Sequence, residues 1–179
     1  MSNSIRGERV TKNFVFFWGS FLSQWHRCEF KDDSEQTYTS AEQYMMAEKA
    51  RLFGDYSMRR QILAVNNPRK QKALGRKVRD FDAQMWHEQG LDIVTQGNFL
   101  KFSQNEHLAQ ALLETGDKTI VEASPYDTIW GIGMHFDDPD AIDPSKWRGT
   151  NLLGQALMRV RSRLRSCSID RAEVNENSD

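Results

Sequence analysis

Cysteine is scarce and charge of one sign does not prevail. Two cysteines, Cys28 and Cys167, stand far apart in 179 residues, with no CxxC pair. This argues against a disulfide framework and for reduced thiols, as in a cytoplasmic protein. Lys and Arg number 24 and Asp and Glu 25, so the net charge is −1. That balance excludes the broad basic face of a protein built to bind extended duplex nucleic acid. Setting aside residues 166–179 leaves 23 basic against 21 acidic side chains, so the remainder is nearly neutral too. No run approaches the ~18 apolar residues of a membrane span, and the first residues carry no apolar signal segment, so no membrane partner is expected. His26, His87, His107 and His135 are scattered without HxxxH or HExxH spacing, and neither a metal nor another cofactor is expected. Nucleophile-elbow, Walker A and GxGxxG motifs are absent as well, and Gly131-Ile132-Gly133 is only a GxG.

What is present is enough apolar material to fold. Hydrophobic residues make up 39% of the chain, aromatics 11%, and Trp occurs five times. A chain of this length buries roughly 70% of its unfolded surface and needs no staple. The expected organisation is a disordered segment at 1–12, one domain at 13–165 and a disordered acidic tail at 166–179. Phe14-Val15-Phe16-Phe17 and Thr119-Ile120-Val121 read as strands, and residues 30–37 as an acidic turn. Helices are expected from Ser40-Ala41-Glu42-Gln43, which has capping-box spacing, from Asp55, from Asn67-Pro68, from Asp82 and from Asn105. In the helix opened by Asp82, the inward stripe is read as Trp86, Ile93, Gly97 and Leu100. Residues 123–149 hold three of the four prolines and form a long irregular stretch, followed by a last helix from about Asn151. The fold class is α+β, predominantly helical with a few short strands. No exposed heptad dictates an oligomeric state.

Three groups of residues have chemical potential, and each has an ordinary reading beside it. Glu42 stands in the first turn of its helix, where the dipole favours a carboxylate, yet Tyr44, Met45 and Met46 mark that helix as apolar and inward. Lys49 follows two turns later, as a structural partner or a reactive amine. Asp127, Trp130 and Gly131 share a loop that combines a hydroxyl-orienting carboxylate, a flat stacking face and an uncrowded backbone; the alternative is a turn with a core Trp. Arg159, Arg161, Arg163 and Arg165 form either a solvated helix face or a phosphate site, and Arg76 in Leu74-Gly75-Arg76 is a comparable phosphate candidate.

Several of these segments occur together in a recognisable order. Phe21-Leu22-Ser23, the 41–49 stretch AEQYMMAEK, Leu74-Gly75-Arg76, Trp86, Gly97-Asn98 with Lys101-Phe102, Asp127-xx-Trp130-Gly131 and Trp147-Arg148-Gly149 with Asn151 to Gly154 resemble the YbiA-like, or NADAR, family over roughly residues 14–165. The resemblance implies an N-glycosidase that hydrolyses the bond between ribose C1 and a nitrogenous base or arylamine. It also implies a small phosphorylated riboside as partner: a ribosylamino-pyrimidine phosphate of riboflavin synthesis, or alternatively ADP-ribosylated guanine in nucleic acid. A non-catalytic ADP-ribose-binding module is the third reading, and a protein-interaction domain using the last helix the fourth. The family's functional positions fall on Glu42, Asp127 and Lys49 as catalytic groups and on Trp130, Trp86, Gly131 and Tyr44 as substrate-binding groups, with Arg76 added as a phosphate contact. This chain departs from the family at Ile132, where some relatives carry Asp, and at Gln24-Trp25, where Asn before an aromatic is common.

Overall fold

The structure, a computed structural model, describes residues 7–176, with side chains described through Cys167. The described residues form two compact units, residues 7–18 with 106–176 and residues 19–105.

In the first unit, β2 (Phe14–Phe17) pairs in parallel with β5 (Thr119–Glu122) and antiparallel with β1 (Glu8–Val10), in the order β1-β2-β5. The β-branched and aromatic side chains expected to form β2 and β5 do so, because Phe16 and Val121 turn into a core with Ala123, Ile132, Met134 and Ala141. Helix α5 (Glu106–Glu114) buries Leu108 and Leu112, four residues apart on one face. Helix α6 (Leu152–Glu176) buries Leu153, Ala156, Leu157, Val160 and Leu164 along its inward stripe. Between β5 and α6 the chain is irregular as expected, relieved by short 3₁₀ turns at Pro139–Ile142 and Pro144–Lys146.

Among the described residues, both terminal segments contain regular structure. Part of the 1–12 segment is β1, held in register by Arg9 opposite Phe16. Part of the 166–179 segment continues α6 to Glu176, since nothing in it supplies a proline or glycine stop. Residues 1–6 and 177–179 of those two segments lie outside the described residues.

The second unit surrounds one central helix. A hairpin of β3 (Arg27–Lys31) and β4 (Thr37–Ser40) leads into α1 (Ala41–Leu52), followed by α2 (Tyr56–Leu63), α3 (Pro68–Gly75) and α4 (Ala83–Ser103). The expected N-caps are in place: Ser40, Asp55, Asn67 and Asp82 each accept an amide N–H three residues on. Every residue from Ala41 to Glu48 is buried, because α2, α3, α4 and β4 all pack on α1. Of the expected α4 stripe, Gly97 and Leu100 are buried while Trp86 and Ile93 are only partly so; Gly90, Val94, Asn98 and Lys101 complete the buried face. No helix among the described residues is long and apolar enough to cross a membrane.

Candidate active site

Glu42 owes its position to the way α1 starts. Ser40 Oγ accepts the Gln43 N–H at 3.1 Å, and Gln43 Oε1 reaches back to the Thr39 N–H at 2.8 Å, one residue before the position a capping box uses. The Glu42 N–H, also free of intrahelical partners in the first turn, donates to the Gln24 carbonyl at 2.9 Å. The carboxylate thereby enters a helix N-terminus while only 4% of the residue is exposed. An anion suits that end of the helix, and burial makes its field strong on whatever lies beside it.

Lys49 lies further along α1 inside an aromatic enclosure. Its ammonium is 4.1 Å from the centre of the Phe81 ring and 5.6 Å from that of Trp86. Phe81 is held edge-on by Phe53, with ring centres 5.3 Å apart. Burial pushes the Lys49 pKa below its ordinary value, and the charge of Arg76 pushes it the same way. A depressed pKa enlarges the fraction of free amine, the form that can attack a carbonyl. Lys49, Trp86 and Arg76 are thus brought together within this unit. Phe81 was not among the sequence candidates. Its signal was nonetheless there: Phe81 and Trp86 flank the Asp82 cap at hydrophobic-staple spacing.

Tyr44, a substrate contact by resemblance, lies in the aromatic core. It is 8% exposed, with Tyr38 edge-on at 5.0 Å and Phe30 at 6.3 Å. Burial, aided by the charge of Glu48, pushes its phenol up to about 12, so it stays a neutral packing group.

The remaining family positions belong to the first unit, where they build a loop. Asp127 Oδ1 accepts the N–H groups of Ile129 at 3.0 Å and Trp130 at 2.8 Å, so this carboxylate holds its own turn. A side chain on Gly131 would stand 2.8 Å from the Glu122 carbonyl oxygen, so this glycine answers to close backbone packing. Trp130 keeps a partly exposed indole, the kind of face on which a planar base stacks. Ile132, the departure from relatives with Asp, is fully buried in the core, a place where a carboxylate would need a partner. The arginines of α6 do not form the uniform solvated face considered above. Arg161 is 6% exposed and donates to Thr115 Oγ1 and the Lys118 carbonyl, while Arg165 pairs with Asp117 at 2.7 Å.

The fold has a solved counterpart. An NMR structure of the E. coli protein YbiA superposes with a TM-score of 0.72, covering 92% of this chain and 90% of that one at 24% identity, which establishes a shared mixed α/β fold. The NADAR domain model matches residues 16–165, and the chain belongs to the NADAR domain family. Among curated relatives, N-glycosidase R617 of Acanthamoeba polyphaga mimivirus is 48% identical over 163 residues, 84% of this chain and 96% of that protein. Riboflavin biosynthesis protein PYRR, chloroplastic, of Zea mays is 34% identical over 91 residues, 51% of this chain but 13% of that protein.

Proposed function

We propose that this chain is an N-glycosidase that hydrolyses the C–N bond between ribose C1 and the amine of a ribosylamino-pyrimidine phosphate. The broader class, a hydrolase of N-glycosyl bonds, is the one its family relatives are named for. The observation that carries the mechanism is a buried carboxylate, Glu42, in the first turn of α1. Breaking a glycosidic C–N bond builds positive charge on C1 and the ring oxygen while the base departs. A carboxylate fixed beside C1 stabilises that charge or takes a proton from the attacking water. The Trp86 indole offers a stacking face for the pyrimidine, and the exposed Arg76 guanidinium suits the phosphate. The riboflavin-related name of the maize protein favours the pyrimidine substrate.

Glu42→Gln keeps shape and removes charge, so turnover should fall about 10²–10³-fold with the fold intact. The assay offers a ribosylamino-pyrimidine phosphate and, separately, ADP-ribosylated guanine, and reads the released base by mass. Undiminished turnover by the variant would remove Glu42 from the mechanism. Faster release of guanine than of pyrimidine would move the substrate to nucleic-acid ADP-ribosylation, and binding without release would indicate a non-catalytic module.

A second route is favoured by the depressed pKa of Lys49, an amine within reach of the Phe81 and Trp86 rings. The ribosylamine ring opens at its oxygen, which takes a proton, and the Lys49 amine adds to C1 and expels the pyrimidine amine to leave an imine. Water then hydrolyses that imine to free the sugar. Borohydride then traps a covalent sugar adduct on Lys49. An unchanged protein mass after reduction during turnover counts against this route.

A further inference from the structure

The Gly97-Asn98 and Lys101-Phe102 run is the family motif that neither Glu42 nor Lys49 accounts for. Asn98 and Lys101 are three residues apart on α4, so they share a face, and both are completely buried. Lys101 Nζ donates to the carbonyls of Phe21 at 2.7 Å and Ser23 at 3.0 Å. Asn98 Nδ2 donates to Gln24 Oε1 at 2.8 Å and to the Val94 carbonyl at 2.9 Å. Three hydrogen bonds, to Phe21, Ser23 and Gln24, therefore tie residues 21–24 to α4. The backbone carbonyl of Gln24, at the end of that segment, receives the Glu42 N–H at 2.9 Å.

We propose that Asn98 and Lys101 are positioning residues that, by fixing residues 21–24 on α4, fix the first turn of α1 and the carboxylate of Glu42. A helix N-terminus leaves its first amides without intrahelical acceptors. Here Ser40 serves Gln43 and the Gln24 carbonyl serves Glu42, so a shift of that carbonyl tilts the turn that carries the carboxylate. A buried ammonium is a costly way to fill a helix face that an aliphatic residue would fill well. Its fixed donor geometry toward two loop carbonyls is what an aliphatic side chain could not supply. Burial pulls the Lys101 pKa down to about 8, consistent with a cation held at some cost among backbone carbonyls.

This proposal rests on Glu42 acting in catalysis, and its test separates the two ideas. Asn98→Ala and Lys101→Gln are each made alone and in a Glu42→Gln background, with folding checked by circular dichroism. Single-turnover and steady-state release of pyrimidine from a ribosylamino-pyrimidine phosphate are measured. Each single variant should lower kcat by about 10–10²-fold, as small misplacements of catalytic groups do. KM should stay within about twofold, since the interaction lost is made in the transition state. In the Glu42→Gln background neither substitution should lower the rate further, because the group they position is already gone. Equal losses in both backgrounds, or a raised KM with unchanged kcat, would overturn the positioning role. If Lys101→Gln does not fold, the Asn98→Ala cycle decides alone. If Glu42→Gln turns over like the parent protein, the catalytic role of Glu42 and this proposal fail together. If Glu42→Gln is inactive while both positioning variants keep full kcat, only this proposal fails.

Discussion

Replacing Gly97 with alanine sets two effects of known size against each other. Gly97 lies in the interior of α4, where Ala is favoured over Gly by about 1 kcal/mol in helix propensity. Against that, the new methyl would sit 3.0 Å from Tyr44 Cε1 and 3.1 Å from Cγ, with Cδ1 nearer still. Such overlap is relieved cheaply only if the ring can move. Tyr44 cannot swing freely, because Tyr38 meets its ring at 5.0 Å and Phe30 at 6.3 Å, and both of those residues are buried. Overpacking a fixed neighbour costs about 1–3 kcal/mol, and contact with three ring atoms argues for the upper end. The net expectation is a loss of about 2 kcal/mol. With a urea m-value of about 2 kcal/mol/M, the unfolding midpoint falls by about 1 M. The assay is urea denaturation followed by far-ultraviolet circular dichroism, with Gly97→Ala repeated in a Tyr44→Ala background, which removes all three clashing atoms. There the methyl has room, and the propensity gain should reappear. A Gly97→Ala midpoint at or above the parent's would show that the α1–α4 contact is softer than these ring distances imply.

Two further outcomes follow from the caps of the second unit. Ser40→Ala removes the acceptor of the Gln43 N–H and the donor, at 2.9 Å, to the buried Gln71 Oε1. Loss of the cap costs about 1 kcal/mol and the stranded amide oxygen about 1–3 more. A loss of stability below ~0.5 kcal/mol would refute the buried-cap account. Asp55 has its carboxyl pulled down to about 2, first by the side-chain hydrogen bonds of Arg79 and then by the Arg79 and Met58 amides. A carboxyl lowered on folding stabilises the fold above its unfolded pKa of 3.8, and that contribution is lost as pH falls through about 2. The Tm difference between the parent and Asp55→Asn should therefore be constant near neutrality and shrink between those two values. A difference that does not change with pH would exclude the ionic contribution.

The legible part of the fold was the part governed by local chemistry. Ser40, Asp55, Asn67 and Asp82 each cap the helix that their residue type and the following sequence announce. Phe14–Phe17 and Thr119–Glu122 have no competing helical period, and they became strands. The β3–β4 hairpin was hidden because Arg27, Glu29 and Lys31 are exposed while the chain turns through Asp32, whose Oδ1 receives the Ser34 and Gln36 N–H groups. Read by composition alone, that segment is simply acidic and turn-like. The α4 stripe holds at Gly97 and Leu100 but not at Trp86 and Ile93, for a related reason. Periodicity counts apolar residues, whereas the buried face contains Asn98 and Lys101, whose N–H donors find acceptors 74 to 80 residues earlier in the chain. No local pattern signals such remote partners.

The family motifs differ in what their residues are attached to. In Asp127-xx-Trp130-Gly131 the spacing follows from turn geometry: one carboxylate oxygen closes over the amides two and three residues on, and Gly131 admits the backbone of Glu122. In AEQY the spacing is that of a helix start, with Gln43 tied back to Thr39 and Tyr44 locked into the ring cluster, so those two are committed to structure. Glu42 lies between them, and its backbone is anchored through the N–H to the Gln24 carbonyl at 2.9 Å. Gln24 is in turn anchored by Asn98, and its loop by Lys101. A motif of consecutive residues therefore divides into groups that build the first turn and one whose position that turn controls. That division makes Glu42, rather than its equally recognisable neighbours, the residue whose charge should govern turnover.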